Sequence, residues 1–427
     1  MRLDEVCSGI FDCPHSTPAL AAEGAFLARS QDILSGIFRF ATAARVSEET
    51  YRERTARAEP GYGDLLYSRE GTYFGIAAEV PKDARVCLGQ RMVLLRPDAK
   101  RVSFRFLRYW LNSPVLAAHI HGHRDGTVAE RLNLPTIRAL PVPVAPMTHQ
   151  TAIAVVLGDL DDKIELNRRM NETLDTMACT IFKSWFVDFD PVHAKAEGRQ
   201  PSGMDAPTAA LFPNSFEDSP LGTIPKRWKL AKLSNLCTTQ YGYTASATEE
   251  SHGPKLLRVT DINKNNWIEW DRVPYCQIGE ADKRGYVLAV GDIVVARMAD
   301  PGKSAIIEDD VDAIFASYLV RLKTSSLATA YYVYGFLKSR TYEKYSESAR
   351  SGSVQANMNA KVIVAADLLV PPDNLIERYA AVAQSLRQRI AANVRESSRL
   401  AAARETLLPK LVSGEFLPAG AALSKIR

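Results

Sequence analysis

Several constellations in this 427-residue chain could do chemistry, and each fails on spacing. Gly302-Lys303-Ser304 has the ending of a phosphate-binding loop, but the position that must be its first glycine is Arg297. Val370-Pro371-Pro372-Asp373 resembles the tetrad with which adenine methyltransferases grip their base. It lacks the polar residue before and the aromatic after, and no glycine-rich cofactor loop precedes it. His119, His121 and His123 alternate, as ligands on one face of a strand would. No carboxylate or thiol at ligand spacing completes a site, so a helical or loop surface is expected, and no metal. Glu308-Asp309-Asp310 with Asp312 lacks the lysine of a nuclease centre and reads as a solvated turn. The six cysteines are scattered without a C-x-x-C pair, as reduced structural thiols are. The chain is expected to have no catalytic residues and no cofactor of its own.

What remains suits recognition of a polyanion. Reading bases needs paired donors and acceptors on exposed loops, and gripping phosphates needs lysine, arginine or hydroxyls. An early loop, His15-Ser16-Thr17, has a later counterpart carrying Tyr241, Tyr243, Thr244 and Ser246. Arg69 and Arg297 each follow a Gly-Asp strand, and suit a phosphate or guanine contact or an ion pair to Asp64 or Asp292. Lys303 lies in a glycine turn just beyond Arg297. A third segment offers Arg124 and Arg131, and its counterpart offers Arg350, Ser351, Gln355 and Asn357, where Gln355 or Asn357 could pair with adenine. Asn133 and Asn359 read as turn formers before similar apolar strands. The net charge of +4 permits a polyanionic partner without demanding one.

These candidates come in pairs because the chain repeats itself. Arg2 to Cys7 resembles Lys232 to Cys237, Gly63 to Arg69 resembles Gly291 to Arg297, and Gly126-Thr127-Val128 with Asn133 resembles Gly352-Ser353-Val354 with Asn359. Each copy closes on a heptad series: Ile153, Leu160, Asn167, Leu174 and Ile181, then Tyr379, Leu386, Asn393, Leu400 and Leu407, each 226 residues later. Such a repeat specifies helices that pack along their length, and an asparagine at matching core positions selects one register. Asn374-Leu375-Ile376-Glu377 has capping-box form, and Pro409 is expected to stop the second helix. An antiparallel pair puts the end of the first helix beside the start of the second, so the chain between them has little distance to cover.

The expected fold is α/β (α+β): two similar globular domains joined by two long helices packed as an antiparallel coiled coil with pseudo-twofold symmetry. The expected division is a first domain 1–149, a spacer helix 150–187, a Pro/Gly-rich linker 188–228, a second domain 229–374, a second spacer helix 375–410 and a tail 411–427. Apolar runs such as Ile293-Val294-Val295 and Leu319-Val320-Arg321-Leu322 suggest strands, and Phe104 to Leu111 and Ala330 to Leu337 suggest helices. No uncharged apolar stretch approaches the ~18 residues of a membrane span, and the N-terminal residues lack a signal-peptide core, which points to the cytoplasm. Two heads held tens of ångströms apart fit two half-sites on DNA, and would equally serve a two-headed protein-interaction scaffold.

The chain resembles the specificity subunits of type I restriction-modification enzymes over essentially its whole length. The resemblance rests on the duplicated order and on segments such as Phe11 to Pro18, Leu88-Gly89-Gln90, Ile181 to Phe186, Ile224 to Trp228, Leu257 to Ile262 and Leu407 to Phe416. It implies two target recognition domains, each reading one part of a split sequence in double-stranded DNA. It implies helices that set the spacing and dock two modification (methyltransferase) subunits, with restriction subunits joining them. S-adenosylmethionine, ATP and magnesium would belong to those partners.

Overall fold

The computed structural model describes residues 1–33, 36–40, 43–71, 74–121, 131–143, 145–220, 222–351 and 357–412, the side chains of His121, Ser351 and Val412 apart. The chain forms two compact units. Unit 1 is Met1–Lys163 with the segment from Arg399, and unit 2 is Ile164–Ser398. Among the described residues no helix is long and apolar enough to cross a membrane.

Unit 1 contains strands β1 (Cys7–Asp12), β2 (Ala25–Ala28), β3 (Ala44–Val46), β4 (Leu65–Ser68), β5 (Ala77–Glu79), β6 (Val86–Leu88) and β7 (Met92–Pro97). An antiparallel sheet runs β1-β7-β4-β5, and a smaller one runs β3-β2-β6 with β2 and β6 parallel. The period of two along a strand gives the main sheet two apolar faces. Leu65, Tyr67, Val93 and Leu95 pack with Phe106 and Leu107 of helix Phe104–Leu111 and with Ile153, Leu157, Leu408 and Leu411. Leu66, Ala78, Met92 and Leu94 face Ile33, Val86 and Leu88.

Unit 2 repeats this plan. Its strands are β8 (Phe216–Ser219), β9 (Gly222–Pro225), β10 (Lys229–Lys232), β11 (Cys237–Tyr241), β12 (Lys255–Leu257), β13 (Ile293–Ala296), β14 (Ser304–Ile306), β15 (Ala313–Phe315), β16 (Leu319–Thr324) and β17 (Asp367–Val370). The main sheet runs β11-β16-β13-β14, and β12 pairs parallel with β15. Ile293, Val295, Val320 and Leu322 face the helix Leu327–Leu337, and Val294, Ala296 and Leu319 face Leu257 and Phe315. Where unit 1 has a single bridge between Arg2 and Pro141, unit 2 has the full β10–β17 pair. Residues 188–228, expected as a linker with ordered anchors such as Ile224 and Trp228, hold several ordered elements. They form helices Asp190–Ala196 and Ala206–Ala210 and the β8–β9 hairpin, and put Val192, Phe212 and Trp228 into the unit 2 core.

Two helices of 40 residues, Met147–Phe186 and Asp373–Val412, contribute to both units. In unit 2, Asn167 donates to Glu396 and Ser397, Asn393 donates to Asn171, Asp175 meets Arg387, and the Phe182 and Tyr379 rings touch. In unit 1, Asp161 meets Arg404, and Ile153 and Leu157 share a core with Leu408 and Leu411. Partners fall along one helix as they rise along the other, so within each unit the pairing is antiparallel. The asparagines do not bond each other; each takes a partner four residues beyond the other's position, which still ties both to one register. Ile153, Asn167, Tyr379 and Asn393 are buried, whereas Leu160, Leu174, Ile181, Leu386, Leu400 and Leu407 are half-buried. Ala154, Asp161, Asp175 and Phe182, also buried and in sevens, lie one residue beyond the apolar series. Two helix ends differ from expectation. The second helix opens at Asp373, where Pro372 accepts from Leu375 and Ile376, so Asn374 is not the cap. Nor does Pro409 end it, because the buried Leu408 and Leu411 hold the last turn on the unit 1 core.

Candidate nucleic-acid interface

In each unit several candidate residues lie where the main sheet's edge strand ends. In unit 2, Tyr241 closes β11 opposite Val320, which pairs with Val295, two residues before Arg297. Arg297 is fixed through its backbone: its N–H donates to Tyr318 O and its carbonyl accepts from Met358 N, both at 2.9 Å. Its guanidinium lies 5.0 Å from the Tyr241 ring centroid. The Tyr241 hydroxyl accepts from Ala360 N at 3.0 Å, which holds the ring in place. Lys303 is half-buried in the turn before β14, and Arg350 donates to the Pro301 carbonyl of that turn and to Ser346 Oγ. Arg297 Nε, Arg350 Nε and Asn357 Oδ1 are buried. Thr244 and Ser246 are exposed. Tyr243 instead turns inward, its ring 5.1 Å from that of Tyr286, among Leu256, Cys276 and Ile314.

Unit 1 builds the same place differently. Asp12 closes β1 opposite Val93, which pairs with Tyr67, two residues before Arg69. Arg69 Nη1 donates to both Asp12 carboxylate oxygens at 3.0 Å, and both side chains are under a fifth exposed. Neither sheet arginine pairs with the aspartate expected as its structural alternative. Asp64 holds Arg96 at 2.8 Å, and Asp292 meets Arg321 at 3.3 Å. His15, Ser16 and Thr17 are exposed, with His15 Nε2 3.5 Å from Asp12. Arg131 is exposed and bridges to Glu70 through its backbone. Arg124 and Gln355 lie outside the described residues. Ser351 ends helix Arg340–Ser351, its side chain likewise outside them.

Some residues that shape these sites carried little sequence signal. Arg54, 6% exposed on helix Glu48–Thr55, donates to the carbonyls of Leu88, Ser16 and Pro14 at 2.7–3.1 Å and so anchors the early loop from below. Gln90 Nε2 adds a bond to His15 O at 2.7 Å. An arginine inside Glu48-Glu49-Thr50-Tyr51-Arg52-Glu53-Arg54 reads as solvated until its carbonyl partners are seen. Asn133 and Asn359 accept from Thr136 N and Val362 N, and so cap short helices, Leu134–Ala139 and Ala360–Ile363, where strands were expected. His119 and His121 lie on helix Pro114–His121, where residues two apart face different sides.

Residues 23–176 match the family model of the type I restriction modification DNA specificity domain. The chain resembles type I specificity subunits over most of its length. The type I restriction enzyme HindI specificity subunit of Haemophilus influenzae is 24% identical over 409 residues, covering 83% of this chain and 86% of that protein. The MjaIX specificity subunit of Methanocaldococcus jannaschii is 24% identical over 375 residues, covering 85% and 76%. A crystal structure of the type I restriction-modification S subunit from M. genitalium superposes with a TM-score of 0.55 at 14% identity, covering 96% of this chain and 95% of that one, a likeness of fold.

Proposed function

We propose that this chain is the sequence-specific DNA-recognition subunit of a type I restriction-modification complex, without catalysis of its own. The observation that carries this reading is the duplicated unit, in which a candidate loop follows the same edge strand of the main sheet in both copies. Each unit reads one part of a split target, and the antiparallel helix pair sets the gap and docks two modification subunits, with restriction subunits joining in the cytoplasm. S-adenosylmethionine, ATP and magnesium act in those partner chains. There the target base leaves the stack to be methylated. Co-expression with the modification subunit of the same system, followed by base-resolution methylation mapping, tests the reading. The expected result is a motif of two fixed parts separated by a constant gap. A contiguous motif, or methylation indifferent to this chain, would overturn it.

A further inference from the structure

The two sheet-end sites hold their arginines in opposite electrostatic states. In unit 2, no carboxylate pairs with Arg297 among the described residues, and residues 352–356 contain no acid. Asp300, the acid in the adjoining turn, makes no ion pair with Arg297, Lys303 or Arg350 among the described residues. The Tyr241 ring engages the guanidinium through the ring face, and Arg297 Nε is buried without a hydrogen-bond partner among the described residues. A ring contact of this kind leaves the full positive charge in place and N–H donors available to an anion.

In unit 1 a carboxylate stands where that ring stands. Asp12 and Tyr241 both end the edge strand and both face the residue that pairs two positions before the arginine. Asp12 takes Arg69 Nη1 with both oxygens at 3.0 Å, in a pair largely shielded from water. A phosphodiester arriving at Arg69 would have to displace an anion already seated and leave it buried without its counter-charge.

Resting on the DNA-recognition reading above, we infer that Arg297, with Lys303 beside it, binds a backbone phosphate, whereas Arg69 is a positioning residue that ties β1 to β4 and binds none. The phosphodiester grip at the sheet ends is therefore one-sided, and unit 2 contributes the salt-dependent share.

The test is fluorescence anisotropy of the full chain, assembled with its modification subunits, on a duplex of about 30 base pairs over a salt series, reading the slope of log K against log salt. Arg297→Gln should flatten the slope by about 0.9, one phosphate's worth, and Arg297→Lys should restore it. Arg69→Gln should leave it unchanged. Asp12→Asn, which keeps the shape but removes the competing charge, should steepen it by as much as about 0.9. A wild-type slope in Arg297→Gln, an equal loss in Arg69→Gln, or no change in Asp12→Asn would each overturn the inference. A wild-type complex whose binding ignores salt would overturn the DNA reading itself, and that shows before any variant is made.

Discussion

Helix positions Asp161 and Arg387 are 226 residues apart, equivalent in the duplication, and carry opposite charges. In unit 1, Asp161 accepts from Arg108 at 2.8 Å, from the Tyr109 hydroxyl at 2.7 Å and from Arg404 at 2.6 Å. In unit 2, Arg387 donates to Asp175 and to the Asn266 carbonyl at 3.0 Å and to Glu308 at 2.7 Å. Arg108 and Tyr334 are equivalent too, and the Tyr334 ring lies 5.3 Å from the Arg387 guanidinium. Burial opposes the charge on Arg387, but Tyr334, Glu308 and Asp175 together outweigh it and raise its pKa above the ordinary arginine value. Each unit thus places one buried charge at the same point and balances it with one partner from the other long helix and one from the globular part. What the duplication kept is the location of the charge; its sign was free to change once the partners changed with it. The halves are keyed as a result, because Arg387 set against unit 1's globular part would meet Arg108, and Asp161 set against unit 2's would meet Glu308.

The keys should differ in strength. Arg387→Ala takes the ion-pair partner from both Asp175 and Glu308, whose side chains are under a tenth exposed, and should cost about 3–5 kcal/mol in chemical denaturation. Asp161→Ala should cost less, on the order of 2–3 kcal/mol, since its orphaned arginines keep other partners. Arg108 retains Glu79 at 3.2 Å, and Arg404 has Glu405 at 3.7 Å and a fifth of its side chain in water. Equal losses would show that the inverted junctions are energetically equivalent after all. A smaller effect is expected at the shared caps. Asn133→Ala and Asn359→Ala should each cost about 1 kcal/mol, and a gap between them larger than that would break the correspondence of the two short helices.

The smallest difference between units is expected at Cys7 and Cys237, which open β1 and β11. Burial pushes both thiols up to about 12 from 9.0, with Asp4 and Asp64 adding to the effect at Cys7. At pH 9 both should alkylate about 500-fold more slowly than in the unfolded chain, at matching rates. Fast labelling of either one in the native protein would contradict that burial. The unfolded thiols ionise first as pH rises. The stability these two thiols contribute is therefore whole below about pH 9 and declines from there towards 12.

Much of the plan was legible before the structure. The duplication, the strands at Ile293 and Leu319, the long helices and the pairing of candidate residues all follow from spacing. The phase of the buried helix seam does not, because three of its members are Ala154, Asp161 and Asp175, which an apolar pattern passes over. The same blindness affected the acidic run at 308–312. Glu308 and Asp309 meet Arg387 and Arg395, and Asp312 meets Lys283, so the stretch is a row of ion pairs rather than a solvated turn. A buried charge is defined by its partners, and partners distant in the chain leave no periodicity. The sites show the same limit. Arg69 and Arg297 were visible as a recurring pair, but the replacement of a ring by a carboxylate beside them appears only when β1 and β11 are aligned through their sheets.

The core of unit 1 joins Leu3 to Leu408 and Leu411. A ribosome must therefore translate all of unit 2 before the residues that close unit 1 emerge, and the first unit to be synthesised is the last to be completed. A chain interrupted late in synthesis lacks the final turns of the second long helix and leaves the opening unit unsealed, with apolar surface exposed to quality control. Completion of the opening unit thus reports that unit 2 has been translated.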